Sequence, residues 1–226
     1  VAALTVGMVT AMSTAQVSAL GTTNVSVLTD TQVRALTTAN VAALSTAQVK
    51  VLTTGQVAAL TSGSIGALST TQVGALTTSQ VNALTTDNIV ALSTAQVAAL
   101  STSQLKALSN SQVTAIATDD IKAISTSNIT ALTTSQVQAL STAAVNALTT
   151  AQVVALSTTQ VGVLTTGEVK ALSTSQVASF TTGQVKVLSV EQLTSMSDAQ
   201  VNAFTTTQIA ALTNTQLLGL VTQART

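Results

Sequence analysis

Leu92-Ser93-Thr94-Ala95-Gln96-Val97-Ala98-Ala99 is followed at once by Leu100, where the same eight-residue phrase begins again. Every eighth residue from Leu4 to Leu220 is Leu, Ile, Met or Phe, at 28 positions in one unbroken register. The consensus octad is L-[S/T]-T-x-Q-V-x-A, and its positions are numbered here one to eight from the large apolar residue. Self-similarity at a fixed period marks a repeat architecture, in which no unit can bury its apolar face alone.

A single long helix cannot carry this period. Eight residues at about 100° each advance about 800°, so an apolar stripe would drift by about 80° per octad and wrap the helix within five repeats. A short helix restarted in every octad fits instead. Position two is Ser or Thr in 25 of 28 octads, and Gln follows three residues later in most, as Gln96 follows Ser93. That spacing is the capping box, in which hydroxyl and carboxamide each satisfy an orphan N–H of the first helical turn. The charges agree independently. All seven acidic residues, Asp30, Asp87, Asp119, Asp120, Glu168, Glu191 and Asp198, occupy positions three to five, and six of seven basic residues occupy position seven. Acid at the start and base at the end is the polarity that a helix dipole favours.

The expected fold is therefore all-α: a solenoid of very short capped helices, one per octad. Positions one, six and eight, such as Leu92, Val97 and Ala99, form the expected buried set, and variable position seven faces solvent. Positions six and one of successive octads lie three apart and so share a helical face. The alternative is a β-solenoid with V-x-A as strand and T-T-x-Q as turn, in which Gly55, Gly63, Gly167 and Gly183 at position four act as turn glycines. Alternation fails, however, wherever the closing Ala meets the next Leu.

The organisation reads as one continuous array over residues 1–226, with degenerate end repeats at 1–21 and 213–226. Met8 replaces the position-five Gln, Met12 the Leu and Gly21 the Ser or Thr, and Leu217-Leu218-Gly219-Leu220-Val221 crowds apolar residues together. Terminal repeats differ because they have a neighbour on one side only. A chain opening on Val1 without Met is expected to be processed or part of something longer.

Composition narrows the chemistry. Charged residues make up 6% of the chain against about 25% in average globular proteins, while 46% are hydrophobic, which excludes the highly charged disordered class. A net charge of zero supplies no attraction to nucleic acid or an anionic membrane. Ser or Thr interrupts nearly every octad, so no apolar run reaches the roughly 18 residues that span a bilayer. The absence of His and Cys removes the usual metal ligands and the commonest general base. Asp119-Asp120, with Lys122 two residues on, is the one acidic pair, a candidate for acid–base chemistry or Ca²⁺. At positions four and five it reads as an acidic first turn. Met12, Met196, Phe180 and Phe204 stand at position one as core residues, and Met8 falls in the irregular first octad. No catalytic, cofactor-binding or metal-binding residues are expected, and no enzyme activity.

The repeats L-S-T-A-Q-V-A-A and L-T-T-S-Q-V-N-A resemble octad segments of very large bacterial secreted or surface proteins, often named automatically as haem-utilisation or adhesion proteins. The resemblance covers nearly the whole chain. It implies an extracellular or cell-surface structural element: a rod, stalk or self-assembling filament segment. The expected partner is another copy or neighbouring repeats, with no nucleic acid and no membrane insertion. The alternative function is a surface-binding module, an adhesin or an ice-binding Thr array, because position three is also usually Thr and can form a ladder. A glycan is a further candidate ligand of such a face.

Overall fold

The computed structural model describes residues 4–223, with side-chain surroundings as far as 221. Val1 to Ala3 and the last three residues of the degenerate end repeats lie outside the described residues. Among the described residues there are 27 helices, from α1 (Val6–Thr10) to α27 (Asn214–Gln223), and no strand. All but α27 are four to six residues long. The solenoid of capped helices is the fold, and the β-solenoid is excluded. Gly55, Gly63, Gly167 and Gly183 sit inside helices, and no described residue has a positive φ, so none serves as a turn glycine.

Each helix is too short to persist alone, and its ends explain why it forms at all. In α12 (Thr94–Ala98), Ser93 is the N-cap with φ −75° and ψ 158°; its hydroxyl accepts from the Gln96 N–H, and the Gln96 side chain accepts from the Ser93 N–H at 2.7 Å. The C-terminus closes tightly. Leu100 N donates to Val97 O at 3.1 Å, three residues back, and the following Ser101 caps α13 (Thr102–Ala107). Helices that end this way need no left-handed residue, which is why the motif places Ala and Leu where many helices place Gly.

The chain divides into two compact units, residues 1–116 and 117–226. In the first, α4 (Asp30–Arg34) packs on α7 (Thr54–Ala59), α7 on α10 (Thr78–Ala83), and α10 on α13. In the second, α15 (Thr118–Ala123), α18 (Thr142–Ala147), α21 (Thr166–Ala171), α24 (Val190–Thr194) and α27 stack in turn. Each helix thus rests on the one three octads away, so three octads make one coil of either solenoid.

Within each unit the core is made of positions one and six. Val49, Val57, Val73 and Val81 are fully buried, and Leu44, Leu60, Leu76 and Leu84 nearly so; Val145, Val153, Val169 and Val177 repeat the pattern in the second unit. Phe180, Phe204 and Met196 are buried at position one as expected, while Met12 is half-buried. Position seven is exposed in nearly every octad, with Val90 at 62%.

Two assignments change. Position eight, expected in the core, is half-buried in most octads, and Val27 is exposed. It stands at the corner where the chain leaves one helix for the next, so its small side chain lies against the rim. Its place inside is taken by position five. Gln48, Gln56, Gln96, Gln152 and Gln184 are among the most deeply buried side chains, at 1–2% exposure. A carboxamide is costly to bury unless its donors and acceptor are bonded, and each of these is.

Candidate functional site

The chemistry-bearing groups of the octad converge on the buried position-five carboxamide. Gln96 shows the arrangement. Its Oε1 accepts from the Ser93 N–H, which closes the capping box of its own helix. Its Nε2 points the other way and donates to Leu68 O at 2.6 Å and Ile65 O at 3.0 Å, with a longer contact to Gly66 O at 3.4 Å. Those carbonyls lie at the end of α8 (Ser62–Gly66), in the preceding coil. Ile65 O also accepts from the Leu68 N–H at 3.1 Å in its own closing turn, whereas Leu68 O lies beyond the helix end, where the helix cannot satisfy it by itself. The side chain therefore links the start of one helix to the end of another, one coil earlier.

The same link recurs in both units. Gln104 Nε2 reaches Leu76 O at 2.8 Å and Val73 O at 2.9 Å, and Gln112 reaches Leu84 O at 2.7 Å. In the second unit Gln152 reaches Ile124 O, Gln176 reaches Leu148 O and Gln184 reaches Leu156 O, all at 2.7 Å. A smaller clamp runs in the opposite direction at position seven. Asn82 Nδ2 donates to Ala107 O at 2.8 Å and Asn146 Nδ2 to Ala171 O at 2.7 Å, each in the coil that follows.

Departures from Gln grade the link. Asn is one methylene shorter, and Asn40 and Asn88 keep a single bond each to the earlier coil, to Met12 O and Leu60 O at 3.1 Å. Ser64 turns to Thr61 in its own capping turn, and Ala144 has no polar group to offer. Glu168 keeps the capping half, with Oε2 accepting from the Thr165 N–H at 2.6 Å. Its Oε1 is buried with no hydrogen-bond partner, the one such side-chain atom among the described residues. Burial pushes the carboxyl above its usual range, against the opposing pull of hydrogen bonds from Thr165.

The acidic pair does not act as a pair. Asp119 is exposed and bonded to Lys122 Nζ at 3.1 Å, whereas Asp120 occupies buried position five. One carboxylate faces solvent and the other the interior, so the geometry supports the acidic-first-turn reading. Among the described residues no three His, Cys, Asp or Glu side chains come together as a metal site. An open, mostly apolar hollow of about 630 Å³ is lined by Leu4, Met8, Ala11, Met12, Gln16, Ala19 and Leu20 of the first octads. No described helix is long and apolar enough to cross a membrane.

The reach of Nε2 between coils is the feature that sequence reasoning missed, although a signal for it is present. A capping box accepts Glu as readily as Gln, yet position five holds Gln 18 times and Glu once. Only the amide brings two N–H donors, and that preference is the trace of a second set of partners.

A comparison with curated proteins finds no matching relative. The family whose pattern does match is the ALTTAQ repeat, at residues 30–62, 58–94, 87–118, 113–150, 137–166 and 177–214. Its six letters stand unaltered at Ala147-Leu148-Thr149-Thr150-Ala151-Gln152, from the corner residue at position eight through the buried Leu and the N-cap Thr149 to the linking Gln152. These matches together take in well over half of the chain and run through both units, so the protein is a tandem-repeat protein of the ALTTAQ repeat family.

Proposed function

We propose that this protein is a non-enzymatic structural repeat element, a spacer or self-assembling segment of a bacterial extracellular or cell-surface protein. One observation carries the reading: the octad spends its polar side chains on its own architecture. The position-two hydroxyl accepts from a helical N–H, and the carboxamide of Gln96, like those of Gln104 and Gln176, is bonded at both ends. A serine hydrolase needs a hydroxyl held free beside an activating base, and the capping hydroxyls are committed elsewhere. What each octad offers to solvent is Ser, Thr and a variable position seven, a surface with little charge that suits contact with further copies of itself.

Sedimentation velocity and electron microscopy across a concentration series test the reading. Growth of the particle with concentration supports the self-assembling form. A particle of constant size supports the spacer form. A convergent enzymatic activity that survives purification and is lost on substitution of a specific side chain would overturn both.

A binding face is the second reading, favoured by one observation. Thr158, Thr182 and Thr206 are exposed at position three, each three octads from the last, so one edge of the second unit repeats the same hydroxyl coil after coil. An ice-recrystallisation assay with the chain at micromolar concentration tests that face for ice. Inhibition supports it, and crystals that coarsen as in buffer remove it.

A further inference from the structure

Glu168 lies at the one described junction where a position-five carboxyl stands with an unpartnered oxygen. It is 2% exposed, and its Oε1 has no partner, while Oε2 accepts from the Thr165 N–H. In the next octad Gln176 fills the equivalent place and donates Nε2 to Leu148 O at 2.7 Å, Val145 O at 2.9 Å and Asn146 O at 3.2 Å. One octad back, Gln160 donates to Leu132 O at 2.8 Å. The register therefore assigns to Glu168 the carbonyls of Leu140, Val137 and Gln138, a set that accepts hydrogen bonds and donates none. A carboxylate oxygen facing carbonyl oxygens is repelled. A carboxylic acid there presents an O–H to them, as the amide does in the neighbouring octads.

We propose that Glu168 is a proton-dependent latch in the second unit: its neutral acid donates Oε1–H to the carbonyls closing α17 (Thr134–Gln138), and loss of that proton opens the junction. The step is a simple proton exchange with solvent. The helices packed on α21 bring no competing charge into the site. They are α18, which carries no ionisable residue, and α24, whose one ionisable residue is exposed Glu191. On α21 itself, Lys170 is exposed at position seven, and α17 carries no ionisable residue. Burial raises the carboxyl from its ordinary value of 4.5, which is the direction the latch requires.

The sign of the pH dependence follows. A carboxyl whose folded-state value is raised binds its proton more tightly when folded, so the proton stabilises the fold. That contribution is complete below the ordinary value of 4.5, which the unfolded chain keeps, and is lost as pH rises through the raised folded value. The second unit is firmest in acid and loosens toward neutral pH. Position five thus carries two kinds of fastener, a Gln that ignores pH and a Glu that reads it.

Urea unfolding of the full chain at a series of pH values from about 4 to 8 tests the latch, with Glu168→Gln measured in parallel. The wild-type unfolding constant is expected to rise by at least fivefold relative to Glu168→Gln across the series, since one linked proton gives up to about tenfold per pH unit within its window. Gln176→Glu is the reciprocal variant and should add a second loss of the same sign. The carboxyl carbon of Glu168, followed by NMR, should titrate above the ordinary glutamate range. Parallel pH profiles for wild type and Glu168→Gln, or titration of Glu168 at or below its ordinary value of 4.5, would overturn the proposal.

Discussion

The junctions at Gln176 and Glu168 stand one octad apart, in the same fold, each beneath an intact capping box. Both side chains are 2% exposed, and both accept from the N–H of their N-cap. They differ in one terminal group. The NH₂ of Gln176 joins three carbonyls of the earlier coil, whereas Oε1 of Glu168 joins nothing. The capping box therefore builds the helix, and the amide nitrogen fastens coil to coil. Stability in such arrays is the sum of intrinsic repeat terms and nearest-neighbour interfaces. The capping half of Gln belongs to the first and the reaching half to the second.

The strongest way to break the comparison is Gln176→Ala, which removes both halves and strands the Ser173 N–H and the Leu148 carbonyl, while the Val145 carbonyl keeps the Leu148 N–H. Leaving such groups buried and unbonded costs about 1–3 kcal/mol each, so a loss of roughly 2–6 kcal/mol in urea unfolding is expected for the two. The natural Ala144 shows that the array tolerates one such gap. A change smaller than about 0.5 kcal/mol, the low end for even one net hydrogen bond, would mean that the carboxamide holds nothing. Glu168→Gln sharpens the comparison from the other side. By restoring the missing donors it should gain about 1 kcal/mol at neutral pH, and a loss would show that the site prefers the carboxyl.

Ser93→Ala isolates the capping half, since Gln96 still reaches the earlier coil; the cost should be about 1 kcal/mol, read as a lower urea midpoint at unchanged slope. Lys122→Ala tests a contact outside the comparison altogether. The Lys122–Asp119 pair is solvent-exposed at 52% and 82%, and exposed pairs contribute between about 0 and 1 kcal/mol. A midpoint indistinguishable from wild type is expected, and a large loss would reveal a structural role for the acidic pair.

Much of this architecture is legible in the octad because its causes are local. The Ser93–Gln96 spacing fixes where the helix starts, the separation of acids and bases reports its direction, and Val97 with Leu100 marks one buried face. The link from Gln96 to Leu68 is not legible in the same way. It joins successive coils, and its span depends on three octads closing one coil, which rests on the angle at each corner and on no single residue. Ala99 departs from its expected place for the same reason: its size suits a close contact, but the corner turns it toward the rim. The asymmetry between Gln and Glu at position five is the one local trace of the missing partner.

The central claim is that the amide nitrogen at position five, beyond its capping oxygen, fastens one coil to the next. Gln96→Glu tests it most directly, because the substituted side chain keeps the acceptor for the Ser93 N–H and replaces the two donors with an acceptor oxygen. Urea unfolding at about pH 7 should show a loss of roughly 1 kcal/mol or more, recovered in part as the pH is lowered toward 4. Stability equal to that of the wild type at both pH values would contradict the claim and leave position five a capping residue alone.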